Sequence, residues 1–356
     1  MIHHEKLMPG QIVQVPGLGI MVKVETPFDS YNRQVFYAVT LDGSNTRWVF
    51  KTFPFPNQPN ISSLHLCLKS QQEIETYKRK LLEAEVPVVR DMGFSHFTKT
   101  DGTTVLVQFE SWEGETVTMV IRESRQERVL EMFQTILQQI VKPLFLNAAI
   151  YDQPARLSVG IDLIPRNLVY QVADEAFGVV YVDLFPPKGG RKECGAIALE
   201  YPEPTDETVR ELGIYRAYNM AGILINLWAH LTSLRPELAK LFYDQLEQFI
   251  RENGFNEQFN LEEQINAYLL GRDISIGREK KEEIKKIIAD WQFKDIFRFR
   301  LLACSLAYYR EESRRWLRKL FEASHFQDSP LGQEVIDEIK EHVLHMASFP
   351  VTITEI

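Results

Sequence analysis

Residues 158–170, SVGIDLIPRNLVY, and residues 177–187, FGVVYVDLFPP, each join a β-branched run to acidic or amide side chains. Asp162 and Asn167 precede the strand candidate 168–170, and Asp183 directly follows the strand candidate 179–182. A hairpin of these two strands would bring all three side chains to one end of a small sheet. Oxygen donors of this kind are the ligands that Mg²⁺ prefers when it binds a polyphosphate.

Upstream of these stretches, the first hundred residues predict an antiparallel sheet. β-Branched and aromatic runs indicate five strands, at residues 19–24, 34–41, 47–53, 86–94 and 103–109. Turn-forming residues separate the strands, at 26–32, 42–45 and 101–102. A polar helix over residues 70–84 interrupts them, with Ile74, Tyr77 and Leu81 on one face. The pattern therefore predicts a five-stranded sheet with one helix against a face.

From residue 112 onward the pattern is mainly helical. Residues 125–147 carry apolar positions at helical spacing, and Thr205 is a candidate N-cap for a helical region that continues to residue 347. We therefore predict an α+β protein with an N-terminal lobe (1–111) and a C-terminal lobe (112–356). The second lobe would hold the loop at 158–187 and a helical region at 205–347.

Composition narrows the possible functions. The 356 residues include 40 basic and 49 acidic side chains, and the net charge of −9 argues against a nucleic-acid partner. No apolar run is long enough to span a bilayer, and no secretory signal follows Met1, so we expect no membrane partner. Cys67, Cys194 and Cys304 are widely spaced without a C-x-x-C motif, which favours a reduced, cytoplasmic protein.

The segment Asp162-Leu163-Ile164-Pro165-Arg166-Asn167 resembles the D-L-x-P-x-N catalytic loop of the aminoglycoside phosphotransferase and choline-kinase-like family. The resemblance covers roughly residues 10 to 200. It implies a bilobal protein-kinase-like fold that uses ATP and Mg²⁺ to phosphorylate a small-molecule substrate. Substrate recognition would then fall to the helical region, where no motif is evident. An acidic cleft for a cationic substrate could be built from Glu200, Glu203, Asp206 and Glu207.

By this resemblance, each candidate residue receives a role. Lys51 would contact the nucleotide phosphates, oriented by Glu73 or Glu75. Asp162 would accept or orient the proton of the attacking hydroxyl, as the catalytic residue. The remaining assignments are Mg²⁺ binding by Asn167 and Asp183, and nucleotide-base contacts from the backbone of the hinge Glu110 to Trp112.

Each of these residues also has a structural interpretation. Lys51 could be a solubilising lysine on a strand edge, Glu73 could face solvent on a charged helix, and Asp162 could form a turn. The sequence also departs from the family pattern. Gly160 stands where the family has histidine, and the first hairpin turn, 26–32, contains no glycine to approach a phosphate.

Two functions therefore remain open. The first is an ATP-dependent phosphotransferase that acts on a hydroxyl of an unidentified small molecule. The second is a kinase-like pseudoenzyme, which would serve as a nucleotide-binding or protein-interaction module. The sequence does not distinguish oligomeric states.

Overall fold

The computed structural model describes residues 10–14, 21–30, 33–41, 47–150, 155–173, 176–187, 215–261, 263–265 and 337. Its first part is an antiparallel sheet whose strands are β1 (Ile12–Gln14), β2 (Met21–Ser30), β3 (Arg33–Thr40), β4 (Arg47–Phe55), β5 (Met92–Thr98) and β6 (Thr104–Ser111). The strand order is β1-β2-β3-β4-β6-β5. The five predicted strands are present, and β1 adds a short sixth strand at one edge.

Two strands differ in extent from the sequence prediction. β2 continues to Ser30 through the segment predicted as a turn, because a register shift between Val24 and Thr26 lets pairing with β3 resume after one extra residue. The predicted strand 86–94 begins only at Met92. Its earlier part instead meets the second half of the molecule, where Tyr181 N–H donates to Pro87 O (2.9 Å).

Helix α1 (Ser63–Glu83) packs on one face of the sheet. It begins seven residues earlier than the predicted start at residue 70, since the Ser62 hydroxyl accepts a hydrogen bond from His65 N–H (3.2 Å) and caps the first turn. The buried face of α1 includes Leu66, Cys67, Ile74, Tyr77 and Leu81.

The second part of the chain is mainly helical. Its elements are β7 (Glu115–Thr116), α2 (Val117–Glu123), α3 (Gln126–Ile136), a π-helical turn (Leu137–Val141), α4 (Lys142–Asn147), β8 (Leu168–Ala173), β9 (Ala176–Tyr181), α5 (Met220–Leu234) and α6 (Ala239–Glu252). β7, β8 and β9 form a second antiparallel sheet. The arrangement agrees with the predicted α+β organisation, in which an antiparallel sheet with one helix on a face is followed by a mainly helical part.

One apolar core joins both parts. It includes Phe53 and Phe55 of β4, the buried face of α1, the β8–β9 hairpin and almost all of α5. Of the predicted helical region 205–347, the structure describes residues 215–261, 263–265 and 337, so the proposed acidic cleft lies outside the described residues. Within the described chain, no helix has the length and apolar character needed to cross a membrane.

Candidate functional site

Lys51 lies in the interior, on the face of β4 that packs towards α1. Its Nζ forms an ion pair with the carboxylate of Glu110 on β6, and the two side chains are only 7% and 2% exposed. Lys51 is opposite Gln108 in the β4–β6 register, so Glu110 lies diagonally across on the same face. Gln108 Nε2 donates to the second carboxylate oxygen of Glu110 (3.1 Å). Lys51 is therefore a buried, ion-paired residue, which excludes the solubilising role.

The Lys51 ammonium also connects the sheet with the second half of the molecule. Its Nζ donates to the backbone carbonyl of Val182 (2.6 Å), the residue immediately before Asp183. Val182 N–H in turn donates to Asn167 O (3.0 Å). These two bonds bring Lys51 to the end of the β8–β9 hairpin, where the sequence predicted a cluster of oxygen donors.

Asp162 and Asn167 are in direct contact at that end of the hairpin. Asn167 Nδ2 donates to the backbone oxygen of Asp162 (3.0 Å) and to its Oδ2 (3.3 Å). On the opposite side, Asn226 Nδ2 of α5 lies 3.5 Å from Asp162 Oδ1. Sequence reasoning missed Asn226 as a site residue, although an amide inside the apolar run 220–231 was a usable signal.

The electrostatic environment raises the pKa of Asp162. Loss of solvent contact is the largest cause, and the charge of nearby Asp183 adds to it. The charges of Arg216 and Arg166 oppose the change, as does the hydrogen bond from Asn226. A carboxylate with a raised pKa is a better proton acceptor than an ordinary aspartate, and this is useful in a general base.

Tyrosine rings occupy the space beside Gly160. A Cβ at this position would lie 2.5 Å from ring atoms of Tyr218, and Tyr77 of α1 donates its hydroxyl to Gly160 O (2.7 Å). Ile161 N–H donates to Ala217 O (2.7 Å), which adds a backbone bond to the same support. Tyr77 and Tyr218 thus support the loop that leads to Asp162, at the position where the pattern that this loop resembles has a histidine.

Glu73 and Glu75 do not pair with Lys51, whose described partners are Glu110 and Val182. Glu73 lines a cavity of about 210 Å³ between α1 and the loop at residues 158–160, together with Pro186 and Tyr218. Glu75 is exposed and accepts a hydrogen bond from Gln71 of its own helix (3.0 Å). The resemblance suggested a glutamate of α1 for Lys51, but the buried pair is made inside the sheet.

The hinge segment uses its backbone donors within the protein. Ser111 N–H donates to Asp91 O (3.0 Å), and Trp112 N–H donates to Arg47 O (3.2 Å). The Arg47 guanidinium also stacks 4.7 Å from the centroid of the Trp112 ring. The predicted base contacts at Glu110 and Trp112 would therefore require carbonyl groups or a rearrangement of these bonds.

Gly114 allows the chain to leave the hinge and pair with the hairpin. Its φ is +147°, and a Cβ there would approach Tyr170 O to 2.0 Å. Directly after it, β7 pairs with β8, with Glu115 opposite Tyr170. Only glycine fits at this point, since any side chain would meet the neighbouring backbone.

The oxygen atoms near Asp162 are of the kind that a hard cation such as Mg²⁺ binds. Asp162 and Asp183 supply carboxylate oxygens, and Asn167 directs its Nδ2 to Asp162, which leaves its amide oxygen as a further acceptor. Within the described ranges, no group of three or more His, Cys, Asp or Glu side chains is arranged to hold a metal. A cation here would therefore depend on the amide and on substrate oxygens in addition to two carboxylates.

Comparisons with known proteins do not establish a family for this chain. No family model matches the chain, and no curated protein matches it. Among solved structures, it is similar to the MAP kinase LmaMPK10 from Leishmania major, at 13% identity and a TM-score of 0.36, over 90% of this chain and 84% of that chain. An identity and a TM-score this low establish neither a shared family nor a shared activity.

Proposed function

We propose that this protein is an ATP-dependent phosphotransferase that transfers a phosphoryl group to a hydroxyl of a small molecule. The observation that carries the proposal is the chain of contacts from Lys51 through Val182 to Asn167 and Asp162. In this chain of contacts the Lys51 ammonium is bonded to the carbonyl of the residue before Asp183, and that residue is bonded through its N–H to the carbonyl of Asn167. Phosphoryl transfer needs a cation and oxygen ligands held in position, because catalysis depends on positioning and charge stabilisation.

In the proposed mechanism, the Lys51 ammonium binds phosphate oxygens of the nucleotide and is supported from the sheet. Asp162 orients the acceptor hydroxyl and receives its proton, which its raised pKa favours. Asn167 holds the Asp162 carboxylate in place and, with Asp183, would hold Mg²⁺. The bound Mg²⁺ would neutralise negative charge on the transferring phosphoryl group.

Nucleotide binding is tested by thermal unfolding with and without Mg-ATP. A ligand at 100 times its Kd adds about 2.7 kcal/mol to the free energy of unfolding, so Tm should rise. Lys51→Met and Asp183→Asn should remove most of the rise. Lys99→Met, a partly exposed lysine beyond the end of β5, is the matched control and should retain it. Equal rises in all four proteins would contradict the proposed site.

Catalysis is tested by measuring the conversion of ATP to ADP. With Mg²⁺ and candidate hydroxylated metabolites, the wild-type protein should release ADP and form a phosphorylated product. Asp162→Asn should lower the turnover by about 10²–10⁴-fold while nucleotide affinity changes little, because the proton acceptor acts in the transition state. Unchanged turnover in Asp162→Asn would remove Asp162 from the mechanism.

The second candidate is a pseudoenzyme that binds nucleotide or a protein partner. It is favoured by the fact that the Lys51 ammonium and the hinge N–H groups of Ser111 and Trp112 already have partners inside the protein. Stabilisation by nucleotide without ADP release would support a nucleotide-binding module. No Tm change at millimolar nucleotide would support an interaction module.

The class of partner and the cellular location that we propose are inferred from the amino-acid composition. The net charge of −9 makes a small molecule a more suitable partner than a nucleic acid. The cysteine pattern supports a cytoplasmic location, where thiols stay reduced.

A further inference from the structure

We propose that Glu110, held by Gln108, is the residue that positions Lys51 for nucleotide phosphates, and that helix α1 does not perform this task. The inference rests on the proposed function, because positioning Lys51 matters only if Lys51 binds phosphate. It replaces the α1 carboxylate suggested by the family resemblance with one from the sheet itself.

The first argument is the geometry of the pair. Lys51 and Glu110 are on adjacent strands, β4 and β6, which are paired continuously from Trp48↔Ser111 to Phe55↔Thr104. Their side chains emerge on the same face two positions apart in register, so the contact requires no movement of another element. The sheet hydrogen bonds therefore fix the spacing of the two backbone positions from which these side chains extend.

The second argument is the environment of the carboxylate. Glu110 is 2% exposed, with one oxygen on the Lys51 ammonium and the other on Gln108 Nε2. Gln108 is itself 1% exposed. A carboxylate fixed at both oxygens in a site with little water can hold an ammonium in one place, because its interaction with the ammonium is weakly screened.

The third argument is the direction of the remaining Lys51 donor contact. Nζ reaches Val182 O at 2.6 Å, beside the proposed Mg²⁺ ligand Asp183. Glu110 and Val182 use two of the three donors of the ammonium, which leaves the third for a phosphate oxygen. Glu73 instead lines the cavity between α1 and the loop at 158–160.

The test compares Mg-ATP affinity by isothermal titration in Glu110→Gln and Glu73→Gln. Glu110→Gln should raise Kd by up to about 100-fold, the size of loss that a misplacement of about 1 Å can cause. The rise should clearly exceed that in Glu73→Gln. Glu83→Gln is the matched control on α1, since Glu83 is exposed and lies 3.9 Å from Arg79. An equal or larger loss in Glu73→Gln, or tighter binding by Glu110→Gln, would overturn the assignment.

Two further measurements separate positioning from folding and from failure of the proposed function. Glu110→Asp keeps the charge and should recover part of the affinity lost in Glu110→Gln. If the wild-type protein binds no Mg-ATP, the proposed function fails. The Lys51–Glu110 pair is then tested by the NMR signal of the Lys51 side chain. The signal should shift in Glu110→Gln and stay in place in Glu73→Gln, and the reverse pattern would contradict the pairing.

Discussion

Gly160 shows how a single residue can be explained by its surroundings. The catalytic-loop pattern that this segment resembles has a histidine at this position, and the local sequence does not explain the difference. In the structure, the ring of Tyr218 fills the space that a side chain would need, and Tyr77 binds the Gly160 carbonyl. Glycine is therefore the residue that fits at position 160 beside Tyr77 and Tyr218.

We therefore predict that Gly160→Ala destabilises the protein. The added Cβ would lie 2.5 Å from the Tyr218 ring, and overpacking of this kind costs about 1–3 kcal/mol. Gly178→Ala on β9 is the matched control, because its Cβ would meet Gln171 at 3.7 Å, an ordinary contact distance. Urea unfolding measures both changes. Equal stability of the two variants would show that the ring adjusts without cost.

The start of helix α1 and the chemistry of Cys67 depend on the packing of this helix against the rest of the protein. Its amphipathic spacing is visible in the sequence, but its start at Ser63 depends on the Ser62 cap. Cys67 lies on the docked face with no exposed surface. The same burial raises the pKa of the Cys67 thiol to about 11, because the thiolate would be deprived of water.

We expect Cys67 to resist alkylation while α1 stays docked. At pH 8 few molecules carry the thiolate, since the pKa of about 11 lies well above that pH, and the sulfur is inaccessible. Iodoacetamide labelling followed by peptide mass spectrometry should leave the Cys67 peptide unmodified in native protein and modify it in urea. Rapid labelling of the native protein would mean that α1 separates from the sheet easily.

In the part of the molecule that the structure describes, the larger of two apolar clusters joins the sheet, α1 and the helical part beside the site. The core is continuous from the sheet through α1 to α5, and Asp162 lies between its members Ile161 and Leu163 with its side chain partly enclosed. This enclosure has an energetic cost, because it favours the neutral carboxyl over the ionised one. We therefore expect the ionised Asp162 carboxylate to lower the stability of the folded protein at neutral pH.

Asp162→Asn should accordingly raise the free energy of unfolding at pH 7. The folded-state pKa of Asp162 is raised, so the folded protein binds its proton more tightly than the unfolded chain does. The penalty is absent below the ordinary pKa of 3.8, grows as pH rises towards the folded-state pKa, and is constant above it. The stabilisation by Asp162→Asn should thus be larger at pH 7 than at pH 3.5.

Urea unfolding at both pH values measures this difference. Asp244→Asn on the exposed side of α6 serves as the control and should show little change between the two conditions. Destabilisation by Asp162→Asn at pH 7 would mean that the attraction of Arg216 and Arg166 outweighs the loss of solvent.

The sequence by itself determined the α+β organisation, the strands of the first sheet, the α1 face and the local group of Asp162 and Asn167 before β8. These features depend on residue periodicity and on contacts within a few positions along the chain, which a linear pattern records. The strand predicted at 86–94 begins only at Met92, because Val86, Val88 and Val89 pack into the shared core, and an apolar run does not distinguish strand pairing from core packing.

The tertiary structure alone decided which carboxylate meets Lys51, what braces Gly160, and that Asn226 and Arg216 act on Asp162. Each of these depends on strand register or on the approach of helices that are distant in sequence. Glu73 and Glu110 are both acidic residues within a few dozen positions of each other, and no local pattern ranks them. The strand register places Glu110 diagonally across from Lys51, and burial strengthens the ion pair between them. Tertiary packing therefore determines that Lys51 pairs with Glu110.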